Sequence, residues 1–134
     1  MIKTLALMRR KDGISHEEFV QHYEEVHAPL SIRVLPWLKH YVRNHITQVF
    51  TGQDFGFDCI SQFWFDSLED SVKLMEFVQS DEGVVIREDE HKFLDSNATT
   101  AFLVEEKASD IEAEDAGPHS FKAIALLKRK PGIS

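Results

Sequence analysis

A chain of 134 residues, 43% of them hydrophobic, is long enough to form one domain with its own core. Its formal net charge of −8 argues against nucleic acid or an anionic membrane as a partner, because both require a basic surface. No apolar run approaches the roughly 18 residues of a membrane-spanning helix, and the N-terminus lacks a signal-peptide cleavage pattern, so we expect a cytoplasmic protein.

The first part of the chain predicts a strand followed by a helix. Residues 2–9 form the predicted strand, and a capping box of Ser15 and Glu18 marks the start of the helix. The apolar stripe of this helix follows helical spacing, at Phe19, Tyr23, Val26 and Leu30. The two prolines that follow indicate where the helix ends, which puts His27 in its last turn.

The next part predicts two strands joined by a loop. Residues 39–50 alternate with a period of two, which is typical of a strand. One face of this strand carries Tyr41, Arg43 and His45. The stretch 51–57 contains two glycines and is a predicted loop, whereas residues 58–65 have the length and aromatic content of a buried strand.

The third part predicts a helical region and a last strand. Ser67 with Asp70 repeats the helix-start signal, and a further helical segment is expected over 80–93. The predicted apolar stripe consists of Leu68, Val72, Met75 and either Val78 or Phe77. The charged run 87–92 is typical of a solvent-exposed face, and residues 99–106 form the predicted fourth strand.

The order strand, helix, strand, strand, helix, strand is that of the split βαβ, ferredoxin-like fold. We therefore expect an α+β protein of βαββαβ topology, with helices on one face of an antiparallel sheet. The other face of the sheet then needs a cover. A second sheet would provide it and would close a dimeric α/β barrel, either in a homodimer or from a second repeat of a longer chain.

The C-terminal part of the sequence contains an internal repeat. Residues 121–134 align with residues 2–15 with eight identities over fourteen positions. We predict a domain over 1–106, an acidic linker over 107–119 and a partial second repeat over 120–134. The repeat is either the start of a tandem domain or an extra strand that pairs with a sheet edge.

Five of the seven histidines lie between residues 15 and 45. His27 is a candidate acid/base, because an ordinary histidine pKa of about 6.5 suits proton transfer at neutral pH. Its alternative role is to stabilise the negative end of its helix. His45 is a candidate second proton carrier or hydrogen-bond donor, or else a structural histidine of its strand. The five-residue spacings of His22 with His27 and of His40 with His45 place neither pair on one face, so we predict no metal site.

The remaining candidates are expected to line the site. Tyr23 and Tyr41 offer hydroxyl groups, and Arg43 either binds a carboxylate or pairs with a surface acid. Asp58 either orients a histidine or caps its strand. Phe63, Trp64 and Phe65 are expected to line the core and the cavity alternately, with Trp64 among the substrate-binding residues and Trp37 at the cavity rim. Such an aromatic interior suits a flat apolar ligand. Cys59 lies in an apolar run, which favours a packed thiol over a nucleophile.

Three segments resemble the EthD family of the dimeric α/β-barrel superfamily. They are F-V-Q-H-Y-E-E-V-H-A-P-L (residues 19–30), Y-V-R-N-H (residues 41–45) and E-D-E-H-K-F-L-D (residues 88–95). The resemblance covers about residues 2–106, and the tail resembles the opening of a second such repeat. The family is similar to small cyclases, lactone isomerases, and polyketide dehydratases or decarboxylases, which use cavity histidines without a cofactor. Carried over by position, the resemblance implies that His27 is the acid/base and that His45 is the histidine of the strand.

The resulting hypothesis is a cofactor-independent lyase or isomerase that acts on a small, aromatic or enolisable substrate. In this hypothesis His27 moves a proton α to a carbonyl, and His45 and Arg43 stabilise the enolate. The main alternative is a non-catalytic protein of a degradation pathway that binds a hydrophobic metabolite. A weaker alternative is a monooxygenase on the same barrel, with or without haem.

Overall fold

The chain folds as predicted in the order strand, helix, strand, strand, helix, strand, in a computed structural model that describes residues 1–110 and 121–133. The strands are β1 (Ile2–Met8), β2 (His40–His45), β3 (Cys59–Phe65) and β4 (Thr100–Val104). Helix α1 (His16–His22) continues through one π-helical turn (Tyr23–His27) into α2 (Ala28–Val34). Helix α3 (Leu68–Gln79) is followed by a 3-10 turn (Asp81–Gly83) and α4 (Val84–Phe93). The α+β, ferredoxin-like βαββαβ prediction is confirmed.

The four strands form one antiparallel sheet in the order β2-β3-β1-β4. Side chains alternate between the two faces, so the register puts Met8 opposite Cys59 on one face and Leu7 opposite Ile60 on the other. We call the first the helix face, because its residues join Phe19 of α1 in the hydrophobic core. We call the second the open face, since none of the helices described above packs on it.

The predicted start of α1 is confirmed, but its predicted end is wrong. The Ser15 hydroxyl accepts a hydrogen bond from the Glu18 N–H at 3.0 Å, and the Glu18 carboxylate accepts one from the Ser15 N–H at 3.1 Å. The helix then passes through the π turn, where the Ala28 N–H donates to the Tyr23 carbonyl, and continues as α2. Pro29 has no N–H to donate, so it fits beside a turn in which the α-helical pattern is already interrupted.

The π turn changes which side chains face the core. His27 lies in the middle of a continuous helix, not at its last turn, and is only 5% exposed. A π turn holds an extra residue, so Val26 leaves the predicted apolar stripe and is 46% exposed. His27 therefore takes the core position that follows Tyr23, and its alternative role at a helix C-terminus does not apply.

Strand β2 is shorter than predicted. It ends at His45, because its partner β3 begins at Cys59 directly opposite. The Ile46 N–H still donates to the Asp58 carbonyl at 2.9 Å, but residues 47–50, which the sequence predicts in the strand, lie outside the ladder, and Phe50 is 75% exposed. The loop predicted over 51–57 is present.

The second helical region begins where the sequence predicts, but its buried and exposed faces differ from the prediction. The Ser67 hydroxyl caps α3 by accepting from the Asp70 N–H at 3.1 Å. Leu68 and Val72, predicted in the apolar stripe, are 54% and 45% exposed. The charged run 87–92 is not uniformly solvent-exposed either, because it contains Asp89, which is 4% exposed.

The predicted C-terminal strand does not pair with a sheet edge. Residues 121–130 have no regular secondary structure. They approach the open face instead, where the Lys122 amine donates to the Gln62 side-chain oxygen at 2.9 Å. Most of the predicted linker 107–119 lies outside the described residues, and the domain boundaries stay a prediction.

Candidate active site

A cavity of about 220 Å³ lies between the helix face of the sheet and helices α2, α3 and α4. Most of its wall is apolar, and includes Met8 of β1 and Phe63 of β3. The polar lining residues are His27, Ser31, Gln79 and Glu90. Among residues 1–110 and 121–133, no lysine or arginine lines the cavity, which favours a small ligand without a carboxylate.

A buried carboxylate holds His27 in the cavity wall. The His27 Nδ1 lies 2.8 Å from one oxygen of Asp89, and the other oxygen of Asp89 lies 3.0 Å from the His22 Nε2. Because a carboxylate accepts, the His27 Nδ1 carries the proton and Nε2 keeps the lone pair. No hydrogen bond found within the described ranges uses this Nε2, so it is available to a ligand in the cavity.

The π turn is what brings His22 and His27 to the same carboxylate. Their spacing of five residues predicts different faces of an α-helix, and that prediction is wrong. Residues five apart lie one above the other where the hydrogen bonds run from i to i+5. Both imidazole rings also pack on Phe93, each with its centroid 4.9 Å from the phenyl ring. Asp89 and Phe93 are one turn apart on α4 and together form the docking surface for the two histidines.

Two groups in the cavity have pKa values shifted in opposite senses. Burial lowers the pKa of His27, and the hydrogen bond with Asp89 offsets part of that shift. Burial, together with the negative charge of Asp89, raises the pKa of Glu90 from 4.5 to about 7. Near neutral pH the cavity therefore contains a neutral imidazole and a carboxyl group that is partly protonated.

Asp89 and Glu90 are absent from the site residues that the sequence predicts. Their signal lies in the helical spacing of Ile86, Asp89 and Phe93, all of which are buried. An acidic residue at a core position of an amphipathic helix requires a partner, and the partners are histidines. The charge of the surrounding run conceals this spacing.

Tyr23 and Tyr41 lie outside the cavity, with Tyr23 next to His27. The Tyr23 hydroxyl is hydrogen-bonded to the Tyr41 hydroxyl and, at 2.7 Å, to the Ser61 hydroxyl. Burial raises the pKa of both phenols, so both stay protonated at neutral pH. Neither lines the cavity, contrary to the substrate-binding role predicted for them. The Tyr23 ring instead packs edge-on against His27, with centroids 5.7 Å apart.

Arg43 and His45 both bind Glu24 of the π turn. The Arg43 guanidinium donates to the two carboxylate oxygens at 2.8 and 2.9 Å, and the His45 Nε2 lies 2.8 Å from one of them. Hydrogen bonding from Arg43, with a smaller contribution from His45, lowers the pKa of Glu24 to about 2. Neither residue lines the cavity. Both side chains are directed to Glu24 outside the cavity, which does not match the predicted roles of His45 as proton carrier and of Arg43 as enolate or carboxylate ligand. The buried His45 Nδ1 has no hydrogen-bond partner among the described residues.

Asp58 directly precedes β3 and belongs to a separate cluster. Its carboxylate accepts from the backbone N–H and the guanidinium of Arg10, both at 2.8 Å, and lies 2.8 Å from the His16 Nδ1. Burial raises the pKa of Asp58, but these contacts outweigh it and the net shift is downward. Asp58 thus orients His16 and not a cavity histidine. The neighbouring Cys59 is buried, and burial raises its pKa to about 12, as expected for a packed thiol.

The two tryptophans lie outside the cavity. Trp37 packs on Phe77 with ring centroids 5.7 Å apart. Trp64 lies on the open face, beneath the Lys3 amine at 4.6 Å from its ring centroid. The alternation along β3 puts Phe63, not Trp64, in the cavity wall.

Residues 1–110 and 121–133 contain neither a metal-binding cluster nor a membrane-spanning helix. In these ranges no group of three or more His, Cys, Asp or Glu side chains is placed to hold a metal ion. The helices found there are all too short or too polar to cross a membrane.

A family model for the EthD domain matches residues 11–97, a range that contains His27, Asp89 and Glu90. The chain belongs to the EthD family. The family resemblance drawn from the three sequence segments is thereby confirmed. No curated protein matches this EthD sequence.

Solved structures with the same fold include members of the EthD family. An ethyl tert-butyl ether D (EthD) family protein from Bacillus halodurans is 24% identical, with a TM-score of 0.59 over 80% of this chain and 100% of that one. An EthD-like protein from Ralstonia eutropha is 20% identical, with a TM-score of 0.57 over 85% of this chain and 96% of that one. A dimeric ferredoxin-like protein from Bacteroides fragilis is 13% identical, with a TM-score of 0.52 over 78% and 95%. These likenesses establish the fold of this EthD protein.

Proposed function

We propose that this EthD protein is a lyase or isomerase that moves a proton α to a carbonyl with its own side chains, without an added cofactor. The observation that carries the proposal is the 2.8 Å contact between the His27 Nδ1 and Asp89 at the wall of an apolar cavity. An imidazole oriented by a buried carboxylate, with its second nitrogen turned to a cavity, is a typical general base.

Glu90 supplies the complementary acid. It lines the same cavity as His27, and its pKa of about 7 leaves part of the population protonated at neutral pH. A base and an acid whose pKa values are displaced by their surroundings are the pair that proton-transfer enzymes use. The same two groups serve in either direction of the reaction.

The proposed step conserves atoms and charge. The His27 Nε2 takes the proton from the α-carbon, and the C–H electron pair forms the carbon–carbon double bond of an enol as Glu90 protonates the carbonyl oxygen. For isomerisation of a β,γ-unsaturated carbonyl compound, the His27 imidazolium gives its proton to the γ-carbon of the dienol. The double bonds shift, the carbonyl forms again, and the enol O–H proton returns to Glu90. For dehydration, the C–H electron pair displaces a β-hydroxyl group, which leaves as water with the proton from Glu90. Transfer of the proton from imidazolium to the Glu90 carboxylate then restores the site.

The cavity limits the substrate to small, largely apolar molecules. Its volume of about 220 Å³ is below the ~300–1,000 Å³ of pockets for drug-sized ligands. The apolar wall suits a single ring, and the polar groups near His27 suit one carbonyl and one hydroxyl group. Substrates of this class are one-ring hydroxyaryl ketones, lactones and β-hydroxy ketones.

The experiment measures exchange of the α-proton in D₂O. Candidates from these classes are first screened by thermal shift, and each stabilising compound is followed by proton NMR and mass spectrometry. Wild type is compared with His27→Ala and with His91→Ala, a matched control because His91 is an exposed histidine of α4. We expect His27→Ala to slow exchange about 10²–10⁴-fold and His91→Ala to leave it unchanged.

The outcomes separate the proposal from its main alternative. Equal exchange by wild type and His27→Ala would contradict a general-base role. Thermal stabilisation by several compounds, with neither exchange nor conversion in wild type, would instead favour a protein that only binds its ligand. An apolar cavity without chemistry satisfies that second description, so the exchange measurement is decisive.

A further inference from the structure

The C-terminal segment repeats the conformation of the N-terminus as well as its sequence. In the first copy the Ile14 N–H donates to the Lys11 carbonyl at 3.4 Å, and the intervening glycine has φ +94°. In the second copy the Ile133 N–H donates to the Lys130 carbonyl at 3.2 Å, and Gly132 has φ +87°. The turn that precedes α1 is thus formed twice.

The repeat also predicts which side of the segment faces the sheet. By alignment, Lys122, Ile124 and Leu126 correspond to the open-face residues of β1, which are Lys3, Leu5 and Leu7. The exposures follow the same alternation. Ile124 and Leu126 are 42% and 56% exposed, whereas Phe121 and Leu127 are 102% and 92% exposed. The less exposed side of the segment is the one that corresponds to the open face.

The side chains of the open face show that it is covered near the segment. The Lys122 amine donates to Gln62 at 2.9 Å, and Gln62 and its neighbour on that face, Ile60, are 8% and 6% exposed. Phe102, on the same face but on the edge strand β4, is 38% exposed. Burial lowers the pKa of Lys122, and repulsion from Lys3 adds to the shift, as expected for an amine held over the sheet.

The kind of contact distinguishes face packing from edge pairing. Two sheets that pack face to face lie about 10 Å apart, and only long side chains cross that gap. Edge pairing would instead produce backbone hydrogen bonds. Lys122 and Gln62 meet through the ends of their side chains, and residues 121–127 make no ladder hydrogen bonds within the described structure.

We propose that the open face of the sheet is the docking surface for residues 121–127 of the same chain, which lie across it as the first strand of a facing EthD sheet. The occupant of this part of the face is then the chain's own second repeat and not a second copy of the protein. The inference rests on the repeat and on the open face, so it is independent of the proposed chemistry in the cavity.

A zero-length cross-link tests the proposal in the full chain. In a Gln62→Glu variant, carbodiimide can join the new carboxylate to the Lys122 amine. The ion pair between Lys3 and Glu106 is an internal control, because its cross-link reports that the sheet is folded. Equal amounts of ¹⁵N-labelled and unlabelled protein are mixed, unfolded, refolded and cross-linked, and the linked peptides are identified by mass spectrometry.

We expect a 62–122 cross-link whose two peptides carry the same isotope label. It should be lost when Lys122→Arg is added. No 62–121 cross-link should replace it when Phe121→Lys then moves the amine to the opposite side of the segment. A 62–122 cross-link between differently labelled chains would overturn the proposal, because the segment would then lie on a second copy. Absence of the 62–122 cross-link in a sample that forms the 3–106 cross-link would also overturn it.

Discussion

Replacing Asp89 by asparagine tests whether this carboxylate sets the protonation of His27. The substitution keeps the size of the side chain and removes its charge, so it isolates electrostatics from packing. The wild-type contact is a short hydrogen bond of 2.8 Å between a ring nitrogen and a buried carboxylate. We expect Asp89→Asn to lower the pKa of His27 further, because Asp89 is the group that opposes the effect of burial.

The size of the shift follows from the hydrogen bond. A hydrogen bond to a charged group contributes about 1.5–3 kcal/mol, and one pKa unit corresponds to about 1.4 kcal/mol. The pKa of His27 should therefore fall, because its imidazolium form loses this contribution. The pKa of Glu90 should fall as well, because the charge of Asp89 is the second cause of its increase.

The sign of the stability effect can be worked out from the same shift. His27 binds its proton less readily in the folded than in the unfolded chain, so stability falls as the pH decreases from about 6.5 toward the folded-state pKa. In Asp89→Asn the folded-state pKa of His27 is lower, so the loss of stability extends over a wider range of pH. The variant should therefore denature at a higher pH than wild type. Urea unfolding between pH 4 and pH 8 measures it.

The assay for the pKa itself is NMR titration of the imidazole ring nitrogens. The matched control is Asp58→Asn, which also removes a buried carboxylate 2.8 Å from a histidine, namely His16. Asp58→Asn should leave the titration of His27 unchanged. A His27 pKa that stays constant or rises in Asp89→Asn would refute the assignment of Asp89 as its charge partner.

Two further variants test the groups around His27. Glu90→Gln should stabilise the protein by up to about 3 kcal/mol at pH 8 and by less at pH 5. The reason is that the raised pKa of Glu90 destabilises the fold only above about pH 4.5, where the carboxyl group of the unfolded chain is ionised. Equal urea midpoints of the two proteins at pH 8 would contradict this. Tyr23→Phe should cost about 1–3 kcal/mol, because the Tyr41 and Ser61 hydroxyls lose a buried partner; a loss below about 0.5 kcal/mol in urea unfolding would show that the network is not stabilising.

The order of elements could be predicted because its signals are local. The capping residues Ser15 and Ser67 determine where two helices begin, since each satisfies backbone N–H groups within four residues. The strands have the apolar or alternating residues that the sequence predicts. The strand end that was predicted wrongly depends on where the neighbouring strand begins. His45 ends β2 only because Cys59 begins β3, and the local sequence contains no information about that pairing.

The π turn could not be predicted from a period of 3.6 residues, and it changes the site. It exposes Val26, buries His27 and brings His22 and His27 together on Asp89. The one local signal is Pro29, which interrupts the hydrogen bonds of an α-helix and therefore predicts its end. Choosing between an end and a wider turn requires the tertiary contact with α4.

Some residues predicted for the site lie outside the cavity, because charged side chains bind partners that are distant in the sequence. Arg43 and His45 are correctly placed together on one face of β2, and that face points to the helices. There they meet Glu24, an acidic residue that sequence spacing alone does not connect with them. A strand face with an arginine and a histidine is thus as consistent with an internal ion pair as with a ligand site.

The alternation of β3 separates the proposed chemistry from the proposed docking surface. Phe63 and Trp64 are successive residues, so one ring lines the cavity and the other lies on the open face. The polar groups around the site lie on the same side of the sheet as the helices; they are Glu24, Asp89 and the two tyrosine hydroxyls. None of them is hydrogen-bonded to Lys122 or Gln62 within the described residues. Because one layer of backbone divides the two sets of contacts, substitutions at Lys122 or Gln62 should leave the arrangement around His27 unchanged.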